Sequence, residues 1–161
     1  MTAPTRPRDY QRAKVYAAEQ ALRFAYDHPA DTITIAGVTL SLEPEDRFAS
    51  LADLRVYVDR VIYHPEVIAT FGFAGPVGVR HRKGAAKAHY QHHDAVIAVP
   101  VTGSGWALRE LVVLHELAHH LAPGAQHGPE FTAAFVDLVQ IIIGPQAALA
   151  LRLLLHEQGA S

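Results

Sequence analysis

The stretch "LHELAHHLAPGAQHGPEF", Leu114 to Phe131, holds four histidines and two glutamates in eighteen residues. Leu114, Leu117, Ala118 and Leu121 fall at i, i+3, i+4 and i+7, the spacing of a helix with one buried stripe. At about 100° per residue, taking His115 as zero sets His119 near 40°, Glu116 near 100° and His120 near 140°. His115 and His119 therefore stack one turn apart and can share a cation. Glu116 lies beside them, placed to touch a water on that cation rather than the cation itself. His120 points away. Two neutral imidazoles binding zinc, with a glutamate to take a proton from the zinc water, is the chemistry of H-E-x-x-H.

A catalytic zinc site needs a third protein ligand and an open position. The helix does not supply the ligand. Ala122 precedes Pro123 and is biased out of the α region, and Gly124 allows a reversal. The chain can fold back and present His127. Glu130 is the rival, but it falls in the first turn of the next helix, where the helix dipole already accounts for a carboxylate. Zinc's preference for nitrogen donors and the placement of Pro129 favour His127.

The rest of the chain bounds the answer. With 161 residues, 50% hydrophobic and 19% charged, it is read as one globular domain spanning 1–161, with 1–7 as a flexible tail. There is no cysteine, so disulfides and thiolate metal sites are excluded and any metal falls to His, Asp or Glu. The formal net charge of -2 gives no global field toward nucleic acid or membrane. No apolar run is long enough to span a bilayer, and the N-terminus has no apolar signal region, so a cytoplasmic protein with no membrane partner is expected.

Helical spacing from Arg8 to about Asp27 points Tyr10, Val15, Ala18, Leu22 and Ala25 inward. "TITIAGVTLSL" alternates and reads as extended structure around Gly37, and "EPEDRF" as a loop. Ser50 caps a helix to about Tyr63, stopped by His64-Pro65. Residues 71–84 read as loop, turn and strand pieces. Lys87–Gln91 and Ala95–Val99 are strands joined by a turn at His92-His93-Asp94. With Ser104 as N-cap, the H-E-x-x-H helix is expected from Trp106 to about Leu121. Pro129 starts the next, to Ile143, and Gly144-Pro145 precedes a last helix ending near Gln158. The class is α+β, with a small antiparallel or mixed sheet packed against the H-E-x-x-H helix and flanking helices.

"HELAHH" followed at short range by "HGPEF" resembles the SprT-like zinc metallopeptidases, a branch of the zincins, over about residues 50–140. The resemblance implies a zincin-like fold, Zn2+ on His115, His119 and His127, Glu116 as catalytic base, and a polypeptide substrate. It departs in lacking the cysteine zinc ribbon that many SprT-like proteins carry, which argues against a DNA-repair role. In this it is similar to bacterial metallohydrolases of the same zincin type. Two other readings stand beside a peptidase. One is a zinc hydrolase of a small amide or nucleic-acid-linked substrate, and the other a non-catalytic zinc-containing binding module.

Other residues carry weaker signals. Arg80–Lys87 holds four basic residues, but no aromatic platform interleaves with them, so a solvated loop is the better reading and nucleic acid is disfavoured. His92 and His93 read as turn surface rather than a second metal site. Tyr90 could stabilise an oxyanion, although a strand tyrosine usually packs. His120 could orient Glu116 or cap the helix end. Glu130 or Asp137 could support a ligand histidine. His28, His64 and His156 sit at helix C-termini, where a partly charged imidazole suits the dipole. Ala95–Val99 is taken as the sheet edge along which a peptide would lie.

Overall fold

The computed structural model describes residues 8–84, 87–100 and 106–161, and among these the chain forms six helices and two small sheets, an α+β arrangement. Helix α1, Arg12–Asp27, starts four residues later than the spacing predicts and buries Val15, Ala18 and Leu22. Tyr10 lies before it and is exposed, contrary to its place in the expected stripe. Strands β1, Ile33–Ile35, and β2, Val38–Leu40, form an antiparallel hairpin. Ala36 and Gly37 both have positive φ at its turn, the backbone twist that a two-residue hairpin favours.

Helix α2, Leu51–Ile62, is capped by the Ser50 side chain accepting from the Asp53 amide. His64 then serves the next helix, α3, Pro65–Phe71, rather than the end of α2. Its Nδ1 accepts from the Glu66 amide, so it is the N-cap of α3.

Strands β3, Gly78–His81, β4, His89–Gln91, and β5, Val96–Val99, make the second sheet in the order β3-β5-β4. β5 pairs in parallel with β3 and antiparallel with β4, so Ala95–Val99 contains the central strand and not the expected edge. The reason is burial: Ile97, Ala98 and Val99 are all inaccessible, as suits a strand covered on both sides. The edge that lies on the H-E-x-x-H helix is β4.

That helix, α4, spans Glu110–Leu121, and its start four residues after Trp106 has a clear cause. Arg109 is extended and bridges to Arg47, with its guanidinium held by Glu45 and Asp27. The expected cap Ser104 lies outside the described residues. From Glu110 to Ala118 every residue of α4 is buried, so it is a central helix rather than one with a single apolar stripe. Helices α5, Pro129–Ile142, and α6, Pro145–Glu157, complete the core, with α5 packing on α4 and α6 packing on α5 and α1. Among the described residues no helix is long and apolar enough to cross a membrane.

Candidate metal centre

His115 and His119 stand one turn apart on α4, with ring centroids 5.1 Å apart. After α4 the backbone leaves the helical region at Ala122 and turns back through positive φ at Gly124 and Gln126. Pro129 then opens α5, and His127 is delivered between the two helices. His115, His119 and His127 each offer a ring nitrogen within 4.8 Å of the others. Glu130 is exposed on the first turn of α5 and is not part of this group.

Two carboxylates from the N-terminal part of the chain fix the rings. Glu19, buried on α1, accepts from His115 Nδ1 at 2.8 Å, and Asp9 accepts from His127 Nδ1 at 2.6 Å. These are the supporting groups expected at Glu130 or Asp137, neither of which bonds a ligand histidine. Both groups come from the chain's first helix and the residues just before it, not from α5. The Gln11 side chain also donates to the His127 carbonyl, tying the same segment to the same histidine.

The electrostatics follow from this arrangement. With each Nδ1–H spent on a carboxylate, the Nε2 atoms of His115 and His127 face each other at 3.2 Å. Two lone pairs do not rest at that distance without positive charge between them. A proton can serve two nitrogens, but here a third converges. Burial above all, then the neighbouring imidazoles of His115 and His127, pushes His119 down to about 2, so its ring is neutral. Three neutral-capable nitrogens around one point suit a cation. The 3.2 Å separation matches the roughly 3.3 Å between two ligands of a tetrahedral zinc with Zn–N about 2.0–2.1 Å. Burial opposes charge on His115, but Glu19 outweighs it and the pKa rises. Burial lowers His127, with Asp9 opposing.

Glu116 is buried and borders both cavities that meet at the histidines. Burial pushes its carboxyl up to about 7, against the pull of His115 and a backbone hydrogen bond from Tyr90. Aromatic faces wall the group in. Phe131 stacks on His119 at 4.3 Å and Tyr16 on His115 at 5.0 Å. Tyr16 was not among the expected site residues. Its hydroxyl is pushed up to about 12, first by burial and then by Glu116 and Glu19, so it stays a neutral donor.

Several expected roles fall away. His120 places Nε2 on the Gly75 carbonyl and Nδ1 on the Tyr90 hydroxyl at 2.7 Å. Its Nε2 therefore carries the proton and Tyr90 donates to Nδ1, which pins β4 to α4. His120 does not orient Glu116, and the Tyr90 hydroxyl is not free for an oxyanion. His93 is exposed beside Asp94, and among the described residues no second set of three potential ligands converges. In the basic segment, Arg80 bonds Gln91 and Arg82 bonds the Lys87 carbonyl, while Ala85 and Ala86 lie outside the described residues. No family model, no curated protein and no solved structure matches this chain.

Proposed function

We propose that this chain is a zinc-dependent metallohydrolase of zincin-like, SprT-like type, acting on polypeptides in the cytoplasm. The observation that carries the reading is the pair of Nε2 atoms at 3.2 Å, each ring fixed from behind by a carboxylate, with the neutral His119 completing the group. His115, His119 and His127 would hold the ion. When bound, zinc supplies Lewis acidity to a carbonyl and lowers the pKa of water to about 7.

The chain's own groups supply the rest. Glu116, with its carboxyl at about 7, can take up a proton and release it to a leaving amine near neutrality. The Glu19 and Asp9 carboxylates keep the Nδ1 tautomers fixed, leaving the Nε2 lone pairs for the ion. Tyr16 borders the same space as a neutral hydroxyl and is a candidate donor to a developing oxyanion. A peptide would lie beside β4, since β5 is enclosed between its neighbours, with its main chain paired to that outer edge.

The test is metal analysis of the purified protein and of His115→Ala, His119→Ala and His127→Ala, beside a digest of an unfolded-protein peptide library. One zinc per chain, lost in each variant, with cleavage by the loaded parent, supports the reading. Full zinc retention in all three variants overturns it.

A further inference from the structure

Next to the histidines lies a cavity of about 530 Å³ that the hydrolytic chemistry does not use. Glu116 and His115 border its inner end, and Arg23, Trp106 and Lys87 border the rest. Its charged groups divide into two kinds. Glu19 is spent on His115, Arg109 on Glu45 and Asp27, and Asp27 on Arg109 and Arg47. Among the described residues, Arg23 and Lys87 form no ion pair. Arg23 lies 5.5 Å from the Trp106 ring centroid, and its Nε is buried with no hydrogen-bond partner. Lys87 Nζ rests 4.0 Å over the Tyr16 ring.

A buried N–H without an acceptor costs about 1–3 kcal/mol, and such groups in folded proteins call for a partner. Arg23 borders the cavity, and a guanidinium can offer a pair of parallel N–H donors, the arrangement that takes a carboxylate through both oxygens. A dianion is less suited, because Glu116, Glu19 and Asp27 border the same cavity. We propose that this cavity is a substrate subsite that binds a carboxylate, with Arg23 as the specificity-determining residue and Lys87 as a second cation at the rim. The proposal rests on the peptidase reading for its substrate class: in a polypeptide the carboxylate is an Asp or Glu side chain, or the free C-terminus.

The chain contains a single tryptophan, and it borders this cavity, so binding can be read without turnover. Trp106 emission is followed in the zinc-loaded protein carrying Glu116→Gln, which leaves the probes intact. Four probes are titrated: an acetylated, amidated tripeptide with a central glutamate; the same peptide with glutamine; acetyl-trialanine with a free C-terminus; and inorganic phosphate. We expect a saturable change with one or both carboxylate peptides and none with the glutamine peptide. Whichever carboxylate peptide responds identifies the source, side chain or terminus. Adding Arg23→Gln should weaken the response about tenfold or more, and Lys87→Gln by a smaller factor, in line with charge-assisted pairing. Lys87 is exposed, so that second variant stays informative if Arg23→Gln does not fold.

A glutamine-peptide response equal to that of the carboxylate peptides, no response to either carboxylate peptide, or undiminished binding in both variants would overturn the subsite. So would tighter binding of phosphate than of either carboxylate peptide. A carboxylate response in a protein that holds no zinc and cleaves nothing sinks the hydrolase reading alone. Cleavage with no preference for carboxylates sinks the subsite alone.

Discussion

The two ends of helix α4 are both polar, yet they are built in opposite ways. At its start every charge is answered. Arg109 and Glu45, with side chains only 3% and 2% exposed, pair at 2.6 Å, and Glu45 also accepts from the Leu111 amide. Glu110 accepts from the Asp46 amide and from Tyr57. At its far end three imidazoles turn their nitrogens toward one point, and the carboxylates that touch them bind from behind. A closed network rigidifies and holds a helix in place. Nitrogens left converging on one point call for something the chain does not contain. That contrast separates scaffold from site more reliably than counting polar residues does.

The sharpest way to test the far end is through Glu116. Glu116→Gln keeps the size and hydrogen-bonding shape of the side chain but cannot accept the proton. Zinc content and melting should hold while peptide cleavage falls about 10²–10⁴-fold. Turnover at the parent rate, measured on any peptide the parent cleaves, removes Glu116 from the chemistry.

The start of α4 should respond in the opposite sense, through stability and not through chemistry. Arg109→Ala leaves the Glu45 carboxylate buried without its cation, at a cost of about 3–5 kcal/mol. Urea unfolding should show the loss, while any protein that remains folded still binds zinc through its histidines. A loss below about 1 kcal/mol would mean that this network is not the closed one the geometry describes.

How much of this contrast was legible in the sequence differs between the ends. The histidine spacing on a helix, the break at Pro123 and Gly124, and Pro129 opening the next helix were enough to bring His127 back toward His115 and His119. The groups behind the histidines were not found, because Asp9 and Glu19 lie about a hundred residues away and no local pattern links them. Glu19 did leave a trace: it falls at helical spacing between Val15 and Leu22, a charge on a face that is otherwise apolar. A charge in that position has to find a buried partner. The "EPEDRF" loop was harder still. It reads only as a loop, yet Glu43 accepts from the Gln146 and Ala147 amides to cap α6, and Glu45 anchors α4. Gly144 suits the same contact: its φ of 151° is one that L side chains rarely adopt, and a Cβ there would meet the Glu43 side chain. The centrality of β5 depends on pairing across the sheet, which alternation within one strand does not reveal.

Metal should shift only the open end. Zinc that binds the folded chain alone stabilises it by about 2.7 kcal/mol at a hundredfold excess over Kd. Thermal melts should rise with zinc, fall back with chelator, and become insensitive to both in His127→Ala. An equal zinc-dependent rise in His127→Ala would show that the ion binds elsewhere.

The smallest effect belongs to the outer rim of the closed network, where Asp27 reaches solvent. Burial pushes its carboxyl up, but hydrogen bonds and charge from Arg109, then from Arg47, outweigh it and hold the pKa below the ordinary value. A carboxylate whose folded pKa is depressed contributes stability above its unfolded pKa. That contribution is lost as pH falls through the folded value. Asp27→Asn should therefore cost little at neutral pH, up to about 1 kcal/mol, because the pair with Arg47 is half-exposed and screened. Comparing urea midpoints of parent and variant from about pH 7 down to about pH 3, the gap should narrow only after pH passes below the ordinary carboxyl value near 3.9. A gap that stays constant across that range, or that widens on acidification, would show that Asp27 acts by shape rather than by charge. The start of α4 would then be closed by Glu45 alone.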